Sequence, residues 1–220
     1  MREPLDFTDD ERAEEADFHR WYGAWAPLDP AGVAELLAGF GRPWWLVGGW
    51  AIEAFTGVPR EHEDVDLSLL ACDVPALRLH LGDSWTPWSN DGGTLRPLSA
   101  RFPEPLNVES QVWIRRDAHS PWVVDLPITP DRDGLWTNKR LPGHVAPVDE
   151  VTWVADDGIR YLAPEIVLLF KSTLSRRKDH RDLRVTWPLL SEEQRDRLRD
   201  LVRSLDPEHP WLSDAETLGA

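Results

Sequence analysis

Trp44-Trp-Leu-Val47, Gly48-Gly49, Trp50-Ala-Ile-Glu-Ala-Phe55 and, beyond Gly57 and Pro59, Asp64-Val-Asp-Leu-Ser-Leu-Leu70 are the stretches on which the fold turns. The first is a short continuous apolar run, as expected of a buried strand. The last alternates Val65, Leu67 and Leu69 with Asp64, Asp66 and Ser68, the period of a half-buried strand. Between them Trp50 to Phe55 reads as a helix closed by Gly57 and Pro59. Alternation puts Asp64 and Asp66 on one face, roughly 7 Å apart along the strand. Two like charges placed there repel and bury poorly unless a cation compensates. Oxygen ligands without Cys or clustered His favour Mg²⁺ over zinc. The glycine pair lets the backbone approach closely, and free amides at a helix start bind anions. An acidic doublet or a Gly-Gly pair alone is common; in this order, about one helix apart, they outline a phosphate-plus-metal site.

Outward from this centre, Glu11 to Trp25 is polar with spaced aromatics and reads as an amphipathic opening helix. Asp29 can cap a second helix, with Pro30 in its first turn and Val33, Leu36, Leu37 and Phe40 at helical spacing. Pro75 to Leu81 reads as a short helix, and residues 84–106 as loop, rich in Gly and Pro. Val108 to Arg115 and Trp122 to Leu126 read as two strands of a hairpin. Arg160 to Leu162 reads as a last short strand, Pro164 to Leu174 as a helix, and Glu192 to Leu205 as another.

A third carboxylate would complete a metal-dependent transfer centre. Asp125 is the best candidate, because it lies in the apolar run Trp122-Val-Val-Asp-Leu126, where an unpaired charge is costly. Glu109, in a more polar strand, is its competitor. Lys171 falls mid-helix behind apolar neighbours, where a lysine either snorkels to water or points at an anionic ligand. Lys178, seven residues on, would share its face if the helix continued through Ser175-Arg-Arg177. Together the two could neutralise a polyphosphate, or be ordinary surface lysines.

Composition bounds the alternatives. The chain has 220 residues, 24 Lys and Arg against 39 Asp and Glu, and a net charge of −15. That balance counts against a general nucleic-acid binder. Cys72 is the single cysteine, which excludes an internal disulfide and a Cys-rich zinc site. No apolar run has the length of a membrane span, and the acidic start lacks the pattern of a signal peptide, so a soluble cytoplasmic protein with no membrane partner is expected. Residues 171–203 carry ten bases and six acids, a locally basic segment on a very acidic body.

Val47-Gly-Gly-Trp-Ala-Ile-Glu53, Arg60-Glu-His-Glu-Asp-Val-Asp-Leu67, Tyr161-Leu-Ala-Pro-Glu-Ile-Val-Leu-Leu-Phe-Lys171 and Arg177-Lys-Asp-His-Arg-Asp-Leu183 resemble the aminoglycoside and lincosamide nucleotidyltransferases. These belong to the DNA polymerase β-type nucleotidyltransferase superfamily. The resemblance, scattered over residues 42–185, implies an α+β fold: a mixed sheet flanked by helices. It implies a nucleotidyltransferase domain with N-terminal helices over residues 1–162 and a C-terminal helical portion over 163–220. It further implies transfer of a nucleoside monophosphate, AMP in the adenylyltransferase branch, from a nucleoside triphosphate to a hydroxyl, with two Mg²⁺ ions. Under it Gly48 and Gly49 match the triphosphate cradle, and Asp64 and Asp66 match the metal-binding aspartates. Asp125 matches the third carboxylate, and Lys171 matches a phosphate-contacting lysine, with Lys178 beside it. Arg60 and His62 match positions flanking the active strand, with Arg60 on the nucleotide side. Asp179 and Asp182 match a helix motif of structural type.

Thirteen tryptophans are an unusual allotment. Trp85, Trp88, Trp113, Trp122, Trp136 and Trp153 fall where an acceptor pocket could lie, and indole faces suit sugars and cationic amines, although core packing accounts for at least half of them. A small hydroxylated, amine-bearing acceptor of aminoglycoside type is the first expectation. A tRNA or protein hydroxyl, as in toxin-like members, a metal-dependent glycosyltransferase, and a non-catalytic nucleotide-binding relative are the alternatives.

Overall fold

The computed structural model describes residues 9–102, 106–107 and 109–213. Val108, where the sequence reading starts a strand, lies outside them, as do both ends of the chain. The first helix, α1 (Asp9–Tyr22), is shorter at its end than the sequence suggests. Gly23, at φ +94°, stops it, and residues 24–28 run as an extended edge against Trp122 and Val123. Trp122 N–H donates to Ala24 O at 2.9 Å, and Ala26 N–H returns to Trp122 O at 2.9 Å. In α2 (Pro30–Leu36) Asp29 caps as expected, its Oδ1 accepting from Gly32 N–H at 2.8 Å.

The next elements are β1 (Trp45–Leu46), α3 (Gly48–Thr56) and β2 (Leu67–Ser68). The glycine pair is thus the first turn of α3 itself and not a turn ahead of it. Gly57, left-handed at φ +67°, caps the other end. After α4 (Val74–Leu81) come β3 (Thr86–Asp91) and β4 (Thr94–Pro97), a hairpin in the region read as loop. Its turn is Gly92-Gly93, both with positive φ. β5 (Gln111–Arg115) and β6 (Val124–Pro127) form the expected hairpin, with Trp113 opposite Asp125.

Residues 128–159, without a sequence assignment, hold β7 (Asp131–Arg132), β8 (Leu135–Thr137), β9 (Val145–Ala146), α5 (Val148–Val151) and β10 (Thr152–Val154). The chain then enters β11 (Arg160–Leu162) and α6 (Pro164–Ser172). Ser175, at φ +48°, breaks the helical path, so Lys178 belongs to a separate helix, α7 (Arg177–Thr186), followed by α8 (Glu192–Leu205).

Two four-stranded sheets, β10-β11-β1-β2 and β4-β3-β5-β6, meet edge to edge. β1 is antiparallel to β2 and parallel to β11, with Leu46 opposite both Leu67 and Tyr161. The seam is between β2 and β6: Asp66 pairs with Asp125 and Leu70 with Thr129, in parallel sense. Asp125 N–H donates to Val65 O at 3.1 Å across it. Trp45, Leu46, Val65, Leu67, Val112, Ile114, Val124 and Leu126 are fully buried around this mixed sheet. The burial of so many β-branched and aromatic side chains explains why such short strands hold together. α6 packs on α3 and α8. It is tied to α8 by the buried carboxylate of Glu165, which accepts from Arg197 and Gln194 at 3.2 Å each. Among the described residues no helix is long and apolar enough to cross a membrane.

Candidate active site

Asp64, Asp66 and Asp125 converge where the two sheets join. One carboxylate oxygen from each lies within 4.8 Å of the others, and all three residues are partly buried. Asp66 starts the β2 side of the seam and Asp125 the β6 side, so the sheet junction itself sets their separation. Asp64 is fixed through its backbone. The Trp50 indole N–H donates to its carbonyl at 3.1 Å, and the same indole stacks on His62 at 3.9 Å and 13°. His62 in turn meets Glu53 of α3 at 2.7 Å. Sequence reasoning did not find the Trp50 and Glu53 roles, because neither is visible without the fold of the 57–63 connection onto α3.

The electrostatics are those of buried, crowded acids that nearby bases offset only in part. Burial pushes Asp66 up to about 7, helped by Asp64 and opposed by Lys171, Lys178 and Arg176. Burial also raises Asp64, against the pull of Lys178. Asp125 is raised well above the carboxylate range by burial, then by Asp66 and Asp64. Its Oδ1 is buried and has no hydrogen-bond partner among the described residues. An orphaned carboxylate oxygen beside two further carboxylates is a donor set that a hard divalent cation such as Mg²⁺ satisfies. Glu109, the competitor, is exposed and lies 3.8 Å from Arg140, away from the trio.

The glycines next to this trio have a steric role. Gly48 sits at φ +65°, and a Cβ on it would collide with the Asp66 carboxylate. A Cβ on Gly49 would collide with the Arg60 guanidinium and crowd His62 Nδ1. The pair therefore admits three side chains, Asp66, Arg60 and His62, against the start of α3. Val47, at its N-cap, supplies no side-chain hydrogen bond to the first amides.

The cations are differently placed from what their sequence positions suggest. Lys171 is neither at the surface nor open to a ligand: it is 6% exposed, 2.7 Å from Asp182 and 3.3 Å from Asp179. Both acids belong to α7, so the ammonium is neutralised inside the α6–α7 contact. Arg60, also buried, lies 3.5 Å from Asp182 and donates to Glu61 O at 2.7 Å. Asp179 receives Arg176 at 2.9 Å as well, and its carboxyl is held below its ordinary value by that hydrogen bond and by Lys171, against burial. Asp179 and Asp182 are thus the anionic centre of a buried cluster that joins α6, α7 and the Arg60 connection. Lys178, at the rim, pairs with Glu63 at 3.1 Å next to Asp64.

The tryptophans divide between core and clamp. Trp122 and Trp136 are buried in the core, and the Arg115 guanidinium lies over both Trp88 and Trp122, at 4.4 and 4.0 Å, with the two rings at 88° to each other. Trp113 is covered by α1 through edge-on contacts with Phe18 and Tyr22, at 5.8 and 5.9 Å. These four rings are engaged within the protein, while Trp85, Trp88 and Trp153 keep part of their surface exposed.

The aminoglycoside-2''-adenylyltransferase family model matches residues 31–87, which include α3 and the Asp64–Asp66 segment. No curated protein matches the chain in sequence. A solution structure of the antibiotic-resistance factor ANT(2'')-Ia is similar at 14% identity and TM-score 0.50, over 85% of this chain and 94% of that one. A crystal structure of ANT(2'')-Ia in complex with adenylyl-2''-tobramycin matches at 16% identity and TM-score 0.49, over 80% of this chain and 97% of that one. The mixed α/β architecture is that of the nucleotidyltransferase fold. The chain is thus similar to ANT(2'')-Ia in fold and, around its acidic strand, to the aminoglycoside-2''-adenylyltransferase family in sequence.

Proposed function

We propose that the protein transfers a nucleoside monophosphate, AMP in the first instance, from a nucleoside triphosphate to a hydroxyl of an aminoglycoside-like acceptor. The observation that carries this reading is the convergence of Asp64, Asp66 and Asp125 within 4.8 Å beside the start of α3. The match of residues 31–87 to aminoglycoside-2''-adenylyltransferases supports the acceptor class, as does a charge of −15, which favours a cationic ligand.

In this reading Asp64, Asp66 and Asp125 hold Mg²⁺, two ions being expected, and the metal supplies charge stabilisation for the triphosphate and for the departing pyrophosphate. Asp125, raised well above the ordinary carboxylate range by burial and by Asp66 and Asp64, is the group suited to accept the proton of the acceptor hydroxyl. Asp64 and Asp66 lie nearer the bases Lys178, Arg60, Lys171 and Arg176, and that side suits the polyphosphate. The uncapped amides at Gly48 and Gly49 offer donors to phosphate oxygens. Lys178 is the rim lysine able to exchange Glu63 for a phosphate. Lys171 and Arg60 act behind it by holding α7 against the strap that carries Asp64. The helical portion from residue 163 onward closes the nucleotide side, and residues 1–162 carry the carboxylates. A cytoplasmic setting, with abundant triphosphate and Mg²⁺, fits this chemistry, and antibiotic resistance is the biological role it implies.

The test is transfer of label from α-³²P-ATP to a panel of aminoglycosides with Mg²⁺ and with excess chelator. Labelled product that requires Mg²⁺ supports the reading. Absence of product with every aminoglycoside overturns the acceptor, and product formed in chelator overturns the metal.

A further inference from the structure

Trp113 and Asp125 are direct cross-strand partners in the β5–β6 hairpin. Trp88 is opposite Trp113 on its other side, and Asp125 bridges to Asp66 across the seam. Opposed residues share a sheet face, so one row reads Trp88, Trp113, Asp125, Asp66 on the face that carries the acids. The Cβ atoms of such a pair lie about 4.5–5.5 Å apart, which brings an indole within reach of a carboxylate.

Each of the two partners carries an unfinished polar atom. Trp113 is buried, and its indole Nε1 has no hydrogen-bond partner among the described residues. The same holds for Asp125 Oδ1. A buried donor and a buried acceptor are costly when left open and complementary when brought together. The two atoms stop short of a closed hydrogen bond. Even so, the Trp113 indole is the side-chain donor that pulls the Asp125 carboxyl down, against burial and the other two acids.

The ring has little freedom to point elsewhere. Phe18 and Tyr22 of α1 meet it at 5.8 and 5.9 Å, Trp25 at 5.2 Å and Trp122 at 5.4 Å, all edge-on. This cover is itself tied down: Trp122 Nε1 donates to Tyr22 O at 2.7 Å, and Leu28 N–H to Val123 O at 3.0 Å. Phe18, Tyr22, Trp25 and Trp113 all lie outside residues 31–87, the stretch shared with the adenylyltransferase family model.

We propose that Trp113 is a positioning residue for Asp125: its indole N–H takes one carboxylate oxygen and leaves the other turned toward Asp64 and Asp66, with α1 and Trp25 locking the ring. A carboxylate has lone pairs enough to accept an indole and still face a cation. Trp113 touches no substrate in this role; it fixes the direction in which Asp125 presents its free oxygen. The consequence for catalysis rests on the nucleotidyl-transfer reading, whereas the contact itself does not.

NMR of the full chain with ¹⁵N-labelled indoles reads the contact, the Trp113 signal being assigned by its loss in Trp113→Phe. That signal should move upfield in Asp125→Ala, where the acceptor is gone, and stay in place in Glu109→Gln. Transfer kinetics read the consequence. Trp113→Phe keeps an aromatic ring without a donor, so kcat should fall about ten- to a hundredfold with KM for ATP unchanged. Added to Asp125→Asn, the same substitution should cost nothing further, because its effect passes through the carboxylate. A Trp113 signal indifferent to Asp125→Ala, or rate losses that multiply in the double variant, overturns this proposal alone. A wild-type protein that transfers no nucleotide overturns the nucleotidyl-transfer reading and the catalytic consequence with it, while the indole signal still decides the contact.

Discussion

Asp66 and Asp125 are direct cross-strand partners at the seam of two sheets, and the seam runs parallel while the strand pairs on either side of it are antiparallel. A junction of this kind puts two acids side by side where sheet packing would ordinarily place apolar residues. The cost is visible in the upward shift of both carboxyls. Lys171, Lys178 and Arg176 offset only part of that cost at Asp66, which is why a divalent cation is the natural complement.

The pH dependence of the metal-free protein follows. Burial pushes Asp66 up to about 7 in the folded chain, far above its ordinary value of 3.8. The folded state therefore binds more protons than the unfolded one between those values, so this group's contribution is fully present below the lower value and is lost as pH rises through about 7. Thermal melting without divalent cation should fall between pH 5 and pH 8 more steeply in the wild type than in Asp66→Asn. Added Mg²⁺ should raise the wild-type midpoint most at the alkaline end. Parallel curves for the two proteins would contradict the shift.

Gly48→Ala tests the steric account of the glycine pair. A methyl group there meets the Asp66 carboxylate and sits at φ +65°. Stability should drop by more than about 1 kcal/mol, since Ala is strained at positive φ. Mg²⁺ affinity, read by calorimetry, should fall with it because Asp66 must move. Unchanged metal affinity would remove the link between Gly48 and Asp66.

The two lysines should separate cleanly. Lys171→Met leaves Asp179 and Asp182, both buried, without their shared lysine. Breaking a buried pair in this way costs about 3–5 kcal/mol, which denaturant unfolding would register. Lys178→Ala removes a partly exposed pair with Glu63 and should change stability by less than about 1 kcal/mol while weakening nucleotide binding. Equal effects of both variants on stability would count against the division between cluster and rim.

The central part of this architecture is legible in the sequence because its signals are local. Alternation around Asp64 and Asp66, the glycines at 48–49 and the apolar frame of Asp125 each report their own neighbourhood. What lies beyond is decided by contacts between distant segments. Residues 84–106 read as loop because glycine and proline mask a hairpin whose strands are stabilised by pairing with β5. Lys171 has the same helical context whether it faces a ligand or Asp182, and only the position of α7 after the break at Ser175 decides between them. The turn after β8 carries no periodic signal at all, because it is pinned by the buried side chain of Asn138, which no local pattern announces.

The most direct measurement is the Mg²⁺-dependent rate of AMP transfer from ATP to an aminoglycoside acceptor in Asp125→Asn, set beside Glu109→Gln and the wild type. If the acids at the sheet seam are the reactive centre, Asp125→Asn loses at least about a hundredfold in rate while Glu109→Gln stays close to the wild type. Full activity in Asp125→Asn would mean that the seam carboxylates are not where the chemistry happens.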